Sequence, residues 1–339
     1  MRHTSVERKE IEEAHARIGP YIHRTPVLTS STLNQRFGAS CFFKCENFQK
    51  TGAFKIRGAF NAVMSLTAEE AARGIVTSSS GNHAAAVSLA ARTRGLQAHI
   101  AMPKVAVRSK VAAVQRYGGN IVWVEGKGDI PTAEEFDAAA AEIQENLGAS
   151  SVHPYDDPRT IAGQGTCAVE LLADVPDLDL VLAPVGGGGL LGGTCIAAAT
   201  AGRVVPVIGC EPECADDAFQ SLRQGTIVPQ TDPRTRADGL RTSLGERNFA
   251  IIAKHVTDIV TVSEVGILAA MRLVWETMKI IIEPSAAVPV AALLERRIEP
   301  AGRRIGVILS GGNVDLESLP AWSEIDLAAF DAAGLDAAP

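Results

Sequence analysis

Long apolar runs are missing from the sequence, and so is any excess of basic charge. No uninterrupted apolar run approaches the roughly 18 residues of a membrane span, so we expect no membrane partner. The first residues, MRHTSVERKE, are charged and contain no apolar h-region, so we expect no signal peptide. A net charge of −7, with Lys and Arg scattered along the chain, gives no electrostatic reason to expect a nucleic-acid partner.

Paired cysteine motifs are missing as well. The six cysteines form no CxxC pair, and no two histidines lie near Cys41/Cys45 or Cys210/Cys214 to complete a zinc site. We therefore expect reduced, mostly buried thiols in a cytoplasmic protein. The chain also has no tandem repeat, and its 339 residues suit one large domain or two closely joined ones.

Short β-branched runs alternate with Ala-rich helical stretches along the chain. Strands are predicted at ASCFFKCEN, GIVTSSS, QAHIAMP, NIVWVEG, DLVLAPVGGGG, VVPVIGCEP and RRIGVILSGGN. This alternation predicts βαβ units and an α/β fold with parallel strands. Four strand ends run into small-residue turns, SSSGN, GGGGLLGG, CEPEC and SGGN. Because ligands bind at the carboxyl ends of parallel strands, we expect these turns to converge on one pocket.

The glycine-rich stretch PVGGGGLLGG allows two interpretations. Gly187, Gly189 and Gly192 form a G-x-G-x-x-G pattern between a strand and a helix. Glu211 follows about 20 residues later, as in a dinucleotide-binding fingerprint. Such a fingerprint usually follows the first strand of its fold, whereas this one follows at least four predicted strands. The N-terminus of a helix favours any phosphate, so the ligand would be NAD or a more compact phosphorylated cofactor.

Lys55 has unusually small and apolar neighbours in the stretch KTGAFKIRGAFNA. We expect its helix to start near Gly52. The positions beside the lysine would then be Gly58, Ala59 and Ala62, whose side chains leave an open shelf for a flat ring. A buried amine there would have a lowered pKa and would be nucleophilic, as lysines that form Schiff bases need to be. The alternative is an exposed helix lysine, which describes most lysines.

Three further motifs each have a structural and a functional interpretation. SSSGNH (78–83) would be a helix N-cap, or would bind a carboxylate and a carbonyl or phenolic oxygen. SGGN (310–313) would be a plain turn, or would bring a hydroxyl to a heterocyclic nitrogen. In EPECADD, Glu211 and Asp217 would be solvated, or would bind Mg²⁺ or Ca²⁺ together with the carbonyl of Ala215.

Five motifs, TGAFKIRGA, SSGNHA, VGGGGLLGG, IIEPSA and LSGGNVD, in this order and spacing, resemble those of the fold type II pyridoxal-phosphate enzymes. Within that class, the chain is similar to the serine racemase and serine/threonine dehydratase family over about residues 11–319. TPVLTSSTLN, HPYDDPRTIAGQGT and ADGLRTSLG look closer to the eukaryotic-type serine racemases than to the biosynthetic threonine dehydratases. The latter carry an additional C-terminal regulatory domain.

The resemblance implies a tryptophan synthase β-like α/β fold with two open, twisted, mostly parallel sheets. Residues 1–73 and 152–322 would form a large cofactor-binding domain, and residues 74–151 a small mobile domain that closes over the substrate. Residues 323–339 would be a flexible tail. Members of the family are commonly homodimers, so we expect a homodimer here.

The resemblance also implies a site built around pyridoxal 5′-phosphate. The cofactor aldehyde would be joined to Lys55, and Ser80 would be a second catalytic residue on the opposite face of the ring. Further cofactor contacts would come from Phe54, Asn82, Gly186, Gly187, Gly188, Gly189, Leu190, Glu283 and Ser310. Substrate contacts would come from Ser79, Ser80, Asn82, His83 and Thr242. A structural or activating Mg²⁺, Ca²⁺ or Mn²⁺ would be bound by Glu211, Ala215 and Asp217.

The implied chemistry begins when the freed Lys55 amine takes the Cα proton of an amino acid. The cofactor holds the resulting carbanion as an electron sink. Loss of the β-hydroxyl leads to a 2-oxo acid and ammonia, whereas a proton from Ser80 gives the enantiomer. We therefore expect a dehydratase acting on L-serine, L-threonine or a related β-hydroxy amino acid. Serine racemase and 3-hydroxyaspartate dehydratase are the alternatives, and an NAD-dependent oxidoreductase or a non-catalytic cofactor-binding regulator belong to other classes.

The sequence departs from the family pattern in three places. Ala84 stands where the SSGNHG motif usually ends in Gly, and Thr242-Ser243 replaces a frequent Ser-Ser. The loop EGKGDIPTAEEF offers only Lys127 where eukaryotic racemases often carry an arginine. This last departure leaves the size of the substrate and its number of carboxylates open.

Overall fold

The computed structural model describes residues 6–79, 81–104, 106, 108–125, 133–200, 202–316 and 325–330. Its strands are, in chain order, β1 Val27–Leu28, β2 Ser40–Cys45, β3 Ile75–Ser78, β4 Ala98–Pro103, β5 Asn120–Val124, β6 Ser150–Ser151, β7 Leu180–Pro184, β8 Val207–Pro212, β9 Asp258–Val262 and β10 Arg304–Leu309. Its α-helices are α1 Arg8–Ile18, α2 Ser31–Phe37, α3 Lys55–Met64, α4 Ala68–Ala71, α5 Asn82–Arg94, α6 Arg108–Arg116, α7 Ala133–Leu147, α8 Pro158–Asp174, α9 Gly189–Ala199, α10 Asp217–Gln224, α11 Glu246–His255, α12 Glu264–Met278 and α13 Pro284–Leu294. Short 3₁₀ helices span Glu46–Phe48, Lys50–Gly52, Asp238–Leu240 and Ala328–Phe330.

The strands form two sheets. The larger sheet has the strand order β1-β2-β10-β7-β8-β9, and all of its neighbouring pairs are parallel except β1 and β2. The smaller sheet has the order β5-β4-β3-β6, and all of its pairs are parallel. The predicted α/β class with two mostly parallel sheets is therefore confirmed. The division of the chain into a large domain and a small, mobile domain stays a prediction.

The larger sheet is buried on both faces, as its apolar strand sequences require. In β7, Leu180 and Leu182 point into an apolar cluster that includes residues of α12 and α13. Val181 and Ala183 point the other way, into a cluster that includes residues of α8 and α9. Successive side chains of a strand alternate between its faces, so one five-residue strand joins both halves of the core.

The helices α8 and α9 cross at a pair of glycines. A Cβ on Gly193 would lie 2.6 Å from the backbone nitrogen of Gly165, which no side chain could tolerate. The glycines let the two helix backbones touch, and this fixes the start of α9 relative to the rest of the fold. Among the described residues, no helix combines the length and the apolar character that a membrane span needs.

Candidate active site

Lys55 is the first residue of α3, so its helix starts three residues later than expected from Gly52. Thr51 and Gly52 have positive φ angles of 62° and 75°, and the chain turns sharply before the helix begins. The N–H of Phe54 donates to the carbonyl oxygen of Ser310 at 3.0 Å. This bond ties the segment that carries Lys55 to the turn that follows β10.

The small residues after Lys55 take part in helix packing. A Cβ on Gly58 would lie 2.9 Å from Cγ2 of Thr160 on α8, so the two helices touch at this position. Ala59 and Ala62 are buried in an apolar cluster that they share with residues of α5. The prediction that Gly58, Ala59 and Ala62 leave an open shelf for a flat ring is therefore wrong, because neighbouring helices fill that space.

The amine of Lys55 points into the protein. Its Nζ donates a hydrogen bond of 2.8 Å to the carbonyl oxygen of Pro154. The ring centroids of Phe54 and Tyr155 lie 5.2 Å and 5.8 Å from the same atom. Burial lowers the pKa of the amine from 10.5 to about 8, against a smaller opposing effect of the Glu283 carboxylate. Near neutral pH, this amine therefore gives up its proton far more readily than a surface lysine does.

A chain of side-chain hydrogen bonds connects three of the predicted motifs. Nδ2 of Asn82 donates to both carboxylate oxygens of Glu283, at 2.9 Å and 3.2 Å. Nδ2 of Asn313 donates to Oδ1 of Asn82 at 2.9 Å. Burial raises the pKa of Glu283 to about 7, and the charge of Asp238 adds to this effect. The structure thus brings the motifs SSGNHA, IIEPSA and LSGGNVD together around one partly protonated carboxyl group.

The glycine loop (186–189) joins β7 to the start of α9 and is closely packed on one side. A Cβ on Gly187 would lie 2.4 Å from ring atoms of Tyr155, and one on Gly188 would lie 2.5 Å from Cδ1 of Leu244. Gly188 also has a φ angle of 89°, which L side chains rarely adopt. Only glycine fits these positions. The bare backbone leaves N–H groups at the N-terminus of α9, where a phosphate binds favourably. Leu190, the next predicted contact, is the second residue of α9.

Tyr155 is a site residue that the sequence reasoning missed. Its ring packs against Gly187, and its phenol is hydrogen-bonded to the side chain of Thr242. Burial raises the pKa of the phenol to about 12, so it stays neutral. Nδ2 of Asn248, another missed residue, donates to the carbonyl oxygens of Gly187 and Tyr155 at 2.7 Å and 3.0 Å. Tyr155 therefore connects Lys55, the glycine loop and Thr242. Its only sequence signal was the HPYDDPRT motif, which carried the resemblance but no role of its own.

Ser79 and His83 lie on either side of the start of α5. Oγ of Ser79 accepts a hydrogen bond of 3.2 Å from the N–H of Gly81. His83 is buried, and its Nε2 lies 3.1 Å from the carbonyl oxygen of Val152. Burial lowers the pKa of the imidazole to about 3, and the nearby charge of Lys55 lowers it further. His83 is therefore neutral at physiological pH and contributes hydrogen bonds to the site, not charge.

Two positions singled out in the sequence lie outside the described residues. They are Ser80, predicted as the second catalytic residue, and Lys127, which follows β5 in the sequence.

The two carboxylates of EPECADD are buried, so the interpretation as a solvated loop is wrong. Glu211 is 0% exposed and accepts hydrogen bonds of 3.1 Å and 2.8 Å from two backbone N–H groups of α10. Asp217 is 2% exposed and accepts one of 2.8 Å from the N–H of Leu244. Burial, followed by the charge of Asp217, raises the pKa of Glu211, and burial raises that of Asp217 to about 6. The described part of the chain contains no cluster of three or more His, Cys, Asp or Glu side chains suited to a metal. A cation here would need the two carboxylates and a carbonyl such as that of Ala215.

The comparison with known families decides the identity of the cofactor. The family model described as pyridoxal-phosphate dependent enzyme matches residues 18–311. The chain belongs to this family. The predicted family and its fold type II class are thereby confirmed, and pyridoxal phosphate is chosen over NAD as the phosphorylated cofactor.

Individual relatives resemble the chain over nearly its whole length. It is 48% identical over 310 residues to β-hydroxyaspartate dehydratase of Paracoccus denitrificans. This match covers 91% of this chain and 96% of that protein. It is 48% identical over 314 residues to serine racemase of Arabidopsis thaliana, covering 91% and 93%. The crystal structure of serine racemase from Dictyostelium discoideum superposes with a TM-score of 0.86 at 44% identity, covering 92% of this chain and 99% of that one.

The residues of this pyridoxal-phosphate enzyme fit its cofactor. The glycine loop (186–189) presents bare backbone at the start of a helix that favours phosphate, and neighbouring residues pack so closely on its other side that no Cβ fits. Lys55 offers an amine whose lowered pKa suits attachment to an aldehyde. Tyr155 links these two features, since its ring touches the loop and lies beside the lysine amine.

Proposed function

We propose that this chain is a pyridoxal-phosphate-dependent dehydratase that converts L-serine, L-threonine or a related β-hydroxy amino acid into a 2-oxo acid and ammonia. The observation that carries the proposal is the buried Lys55 amine, with its pKa of about 8, beside the ring of Tyr155, which packs against the glycine loop (186–189). The 48% identity to a β-hydroxyaspartate dehydratase supports 3-hydroxyaspartate as a substrate. Serine racemase activity is the second candidate, and the 48% identity to a plant serine racemase favours it.

Different residues of the chain are proposed to bind the cofactor and the substrate. In this proposal Lys55 would be joined to the cofactor aldehyde, Asn82 would bond its 3′-oxygen, and Ser310 would bond its ring nitrogen. The remaining cofactor contacts are Phe54, Glu283 and residues 186–190. The substrate would be bound by Ser79, Asn82, His83 and Thr242. Bound pyridoxal phosphate supplies the electron sink for the carbanion that remains after Cα loses its proton.

Lys55 is also the proposed base. Its amine is partly neutral near physiological pH, because its pKa lies at about 8, so it can take the Cα proton of a bound amino acid. The carbonyl oxygen of Pro154, at 2.8 Å, is an acceptor that holds the amine in place whenever it is not joined to the cofactor. A neutral His83 binds the substrate through hydrogen bonds without adding a second positive charge beside Lys55.

A substrate panel tests the proposed function. The purified holoenzyme is incubated with L-serine, D-serine, L-threonine and both threo-3-hydroxyaspartates, with and without Mg²⁺. We expect a 2-oxo acid and ammonia in equal amounts from at least one of these amino acids. If chiral analysis found the enantiomer and no 2-oxo acid, the enzyme would be a racemase. The absence of any product, or a colourless protein that binds NADH, would contradict the proposal.

The attachment of pyridoxal phosphate to the apoprotein should follow the titration of Lys55. Only the neutral amine attacks an aldehyde, so we expect the rate to rise with pH and to reach half of its maximum near pH 8. An ordinary lysine, with a pKa near 10.4, would be roughly 100-fold slower at that pH. Absorbance of the attached cofactor, followed after mixing between pH 6 and 10, measures the profile. A rate that keeps rising up to pH 10 would exclude the lowered pKa.

Ser80 is the proposed proton donor on the face opposite Lys55. In the variant Ser80→Ala, we expect the rate of serine racemisation to fall by about 10²-fold or more, as loss of a general acid typically does. Elimination from L-serine needs no proton on that face, so its rate should fall much less. Chiral and 2-oxo acid assays on the same samples measure both rates, and Ser78→Ala is the matched control. Equal retention of both activities would remove Ser80 from the mechanism.

We also propose a divalent cation, such as Mg²⁺, at Glu211, Ala215 and Asp217. Two buried carboxylates repel one another, and a hard cation relieves this repulsion. Saturating Mg²⁺, at about 100 times its Kd, is expected to raise the Tm of the protein by about 5 °C.

The variant Asp217→Asn should lose the stabilisation by Mg²⁺, because it removes one anionic ligand. Asp216→Asn, which changes the preceding residue, is the control that should keep it. Calorimetry with Mg²⁺, Ca²⁺, Mn²⁺ and EDTA makes the comparison. The cation proposal would be abandoned if none of these ions raised the Tm of the unchanged protein.

Finally, we propose that the enzyme is a cytoplasmic homodimer. Five of the six cysteines are buried as free thiols, which supports a reducing compartment. Phe48 and Ile281 are 44% and 53% exposed, and a 3.0 Å hydrogen bond from Asn47 to the carbonyl of Ile281 joins their segments. Such an apolar surface supports association between subunits. Light scattering distinguishes a dimer from the 35.6 kDa monomer.

A further inference from the structure

Lys110 is a cation on α6 that pairs with an acidic residue distant in the sequence. It belongs to α6, which packs beside the smaller sheet, yet its amine forms an ion pair with Asp238 in the 3₁₀ helix Asp238–Leu240. The Lys110 side chain is 18% exposed. By contrast, the ion pair of Lys104 and Glu125 has side chains that are 59% and 71% exposed. The Lys110 side chain is thus less exposed than those of that surface pair, while its partner Asp238 is 37% exposed.

The same amine lies over the turn that begins α5. Nζ of Lys110 is 3.8 Å from the position that a Cβ on Gly81 would take. Gly81 immediately precedes Asn82, and the turn also contains Ser79, so the amine borders the motif to which we assign the substrate. Because Gly81 has no side chain, it places no atom between this part of the turn and the ammonium group.

Acidic groups lie near this turn, and Lys110 is a cation beside them. Asp238 raises the pKa of the buried Glu283 carboxyl group, whereas Lys110 lowers it, so both charges act on the site. A substrate with two carboxylates would otherwise approach two acidic groups. Within the part of the chain that the structure describes, Asp238 is the one hydrogen-bond partner of the ammonium group, so two of its three N–H donors are available to a ligand.

We propose that Lys110 binds the second carboxylate of a dicarboxylic substrate and so favours amino acids of the 3-hydroxyaspartate type over L-serine. This inference rests on the proposed function for the position of the substrate. Asp238 holds the amine at the turn in the absence of substrate. The negative charge of Asp238 also repels the second carboxylate. Lys110 and Asp238 together therefore determine how strongly the enzyme prefers a dicarboxylic substrate to a monocarboxylic one.

Binding of two simple acids tests Lys110 independently of turnover. Succinate and butyrate each have four carbons, with two carboxylates and one, and calorimetry measures their Kd for the holoenzyme. We expect Lys110→Met to weaken succinate roughly 10- to 100-fold, the value of a charge-assisted hydrogen bond. The ratio of the two Kd values should change by nearly the same factor. Lys110→Arg should preserve most of the preference, and Asp238→Asn should strengthen succinate binding.

Lys104→Met is the matched control, since it removes a lysine from an exposed ion pair next to the same sheet. The inference would be overturned if Lys110→Met weakened succinate and butyrate equally, or weakened neither. The ratio of kcat/KM for L-threo-3-hydroxyaspartate to that for L-serine should fall with succinate affinity in this variant. If the unchanged enzyme formed no 2-oxo acid from either amino acid, the proposed dehydratase function would fail, while the succinate measurement would still decide the role of Lys110.

Discussion

Replacing Lys55 with alanine is expected to lower the rate of 2-oxo acid formation by at least about 10⁴-fold, because the variant loses both the attachment point of the cofactor and the proposed base. The protein should still fold, since the start of α3 is held by the bond from Phe54 to the Ser310 carbonyl. Steady-state kinetics at saturating pyridoxal phosphate measures the loss, and circular dichroism checks the fold.

Lys50→Ala is the matched control for this variant. Lys50 lies in the same stretch, and its amine is also bonded to a backbone carbonyl, that of Tyr21. The proposed function gives Lys50 no contact with the cofactor or the substrate, so the Lys50→Ala variant should keep most of the activity. Full activity of Lys55→Ala would contradict the assignment, as would equal losses in the two variants.

Replacing Arg57 with leucine is expected to lower the free energy of unfolding by about 3–5 kcal/mol. The guanidinium of Arg57 is fully buried and donates two hydrogen bonds to each of the carboxylates of Glu46 and Glu170, at 2.7–2.9 Å. Lys44 donates a further bond of 2.7 Å to Glu170. Leucine would leave two buried carboxylates with a single cation, and an uncompensated buried charge is costly.

Urea unfolding of the apoprotein measures the effect of this change. Arg24→Leu is the control, because Arg24 pairs with Asp174 near the same cluster but its side chain is 53% exposed. Exposed pairs contribute roughly 0–1 kcal/mol, so this control should stay close to the unchanged protein. If both variants lost a similar free energy of unfolding, burial of the Arg57 ion pairs would not be what makes them stabilising. Because Arg57 follows Lys55 by two residues, its loss should also loosen the start of α3 and weaken retention of the cofactor.

The elements that the sequence predicts well are those whose local pattern agrees with their place in the fold. β7 and β10 are short apolar runs that end in glycine-rich turns, and both are buried strands in the middle of the larger sheet. Helix α5 ends at Arg94, and Gly95 follows it with a φ angle of 77°, the left-handed conformation in which a glycine commonly ends a helix.

Other elements depend on contacts that no local pattern reveals. Helix α8 contains Gly163 and Gly165, which disfavour an isolated helix. A Cβ on Gly163 would lie 2.5 Å from the carbonyl oxygen of Arg57, so this glycine permits the close contact with α3 that holds the helix in place. Helix α13 contains Pro289 and is nevertheless helical within the buried core. In these cases tertiary packing overrides local propensity.

The residues of the candidate site also differ in how well the sequence predicts them. Lys55, Asn82, Glu283 and Ser310 belong to motifs with recognisable chemistry. In the structure Asn82 donates to Glu283, the charge of Glu283 acts on the Lys55 amine, and the Ser310 carbonyl accepts from Phe54, next to Lys55. Tyr155 has no such local signal, because its position against Gly187 follows from the way α8 and the glycine loop pack. The purpose assigned to Gly58 was wrong for a related reason. Small residues beside a lysine indicate close packing, but the sequence does not say whether a helix or a ligand occupies that space.

The central claim, that the site is built around a cofactor carried by Lys55, is tested most directly by chemical mapping. The holoenzyme is reduced with borohydride, digested, and examined by mass spectrometry for a lysine that carries the reduced cofactor. We predict one modified lysine, Lys55, in the peptide that contains TGAFKIRGA. Modification of a different lysine, or an unmodified Lys55 in fully loaded enzyme, would contradict the account.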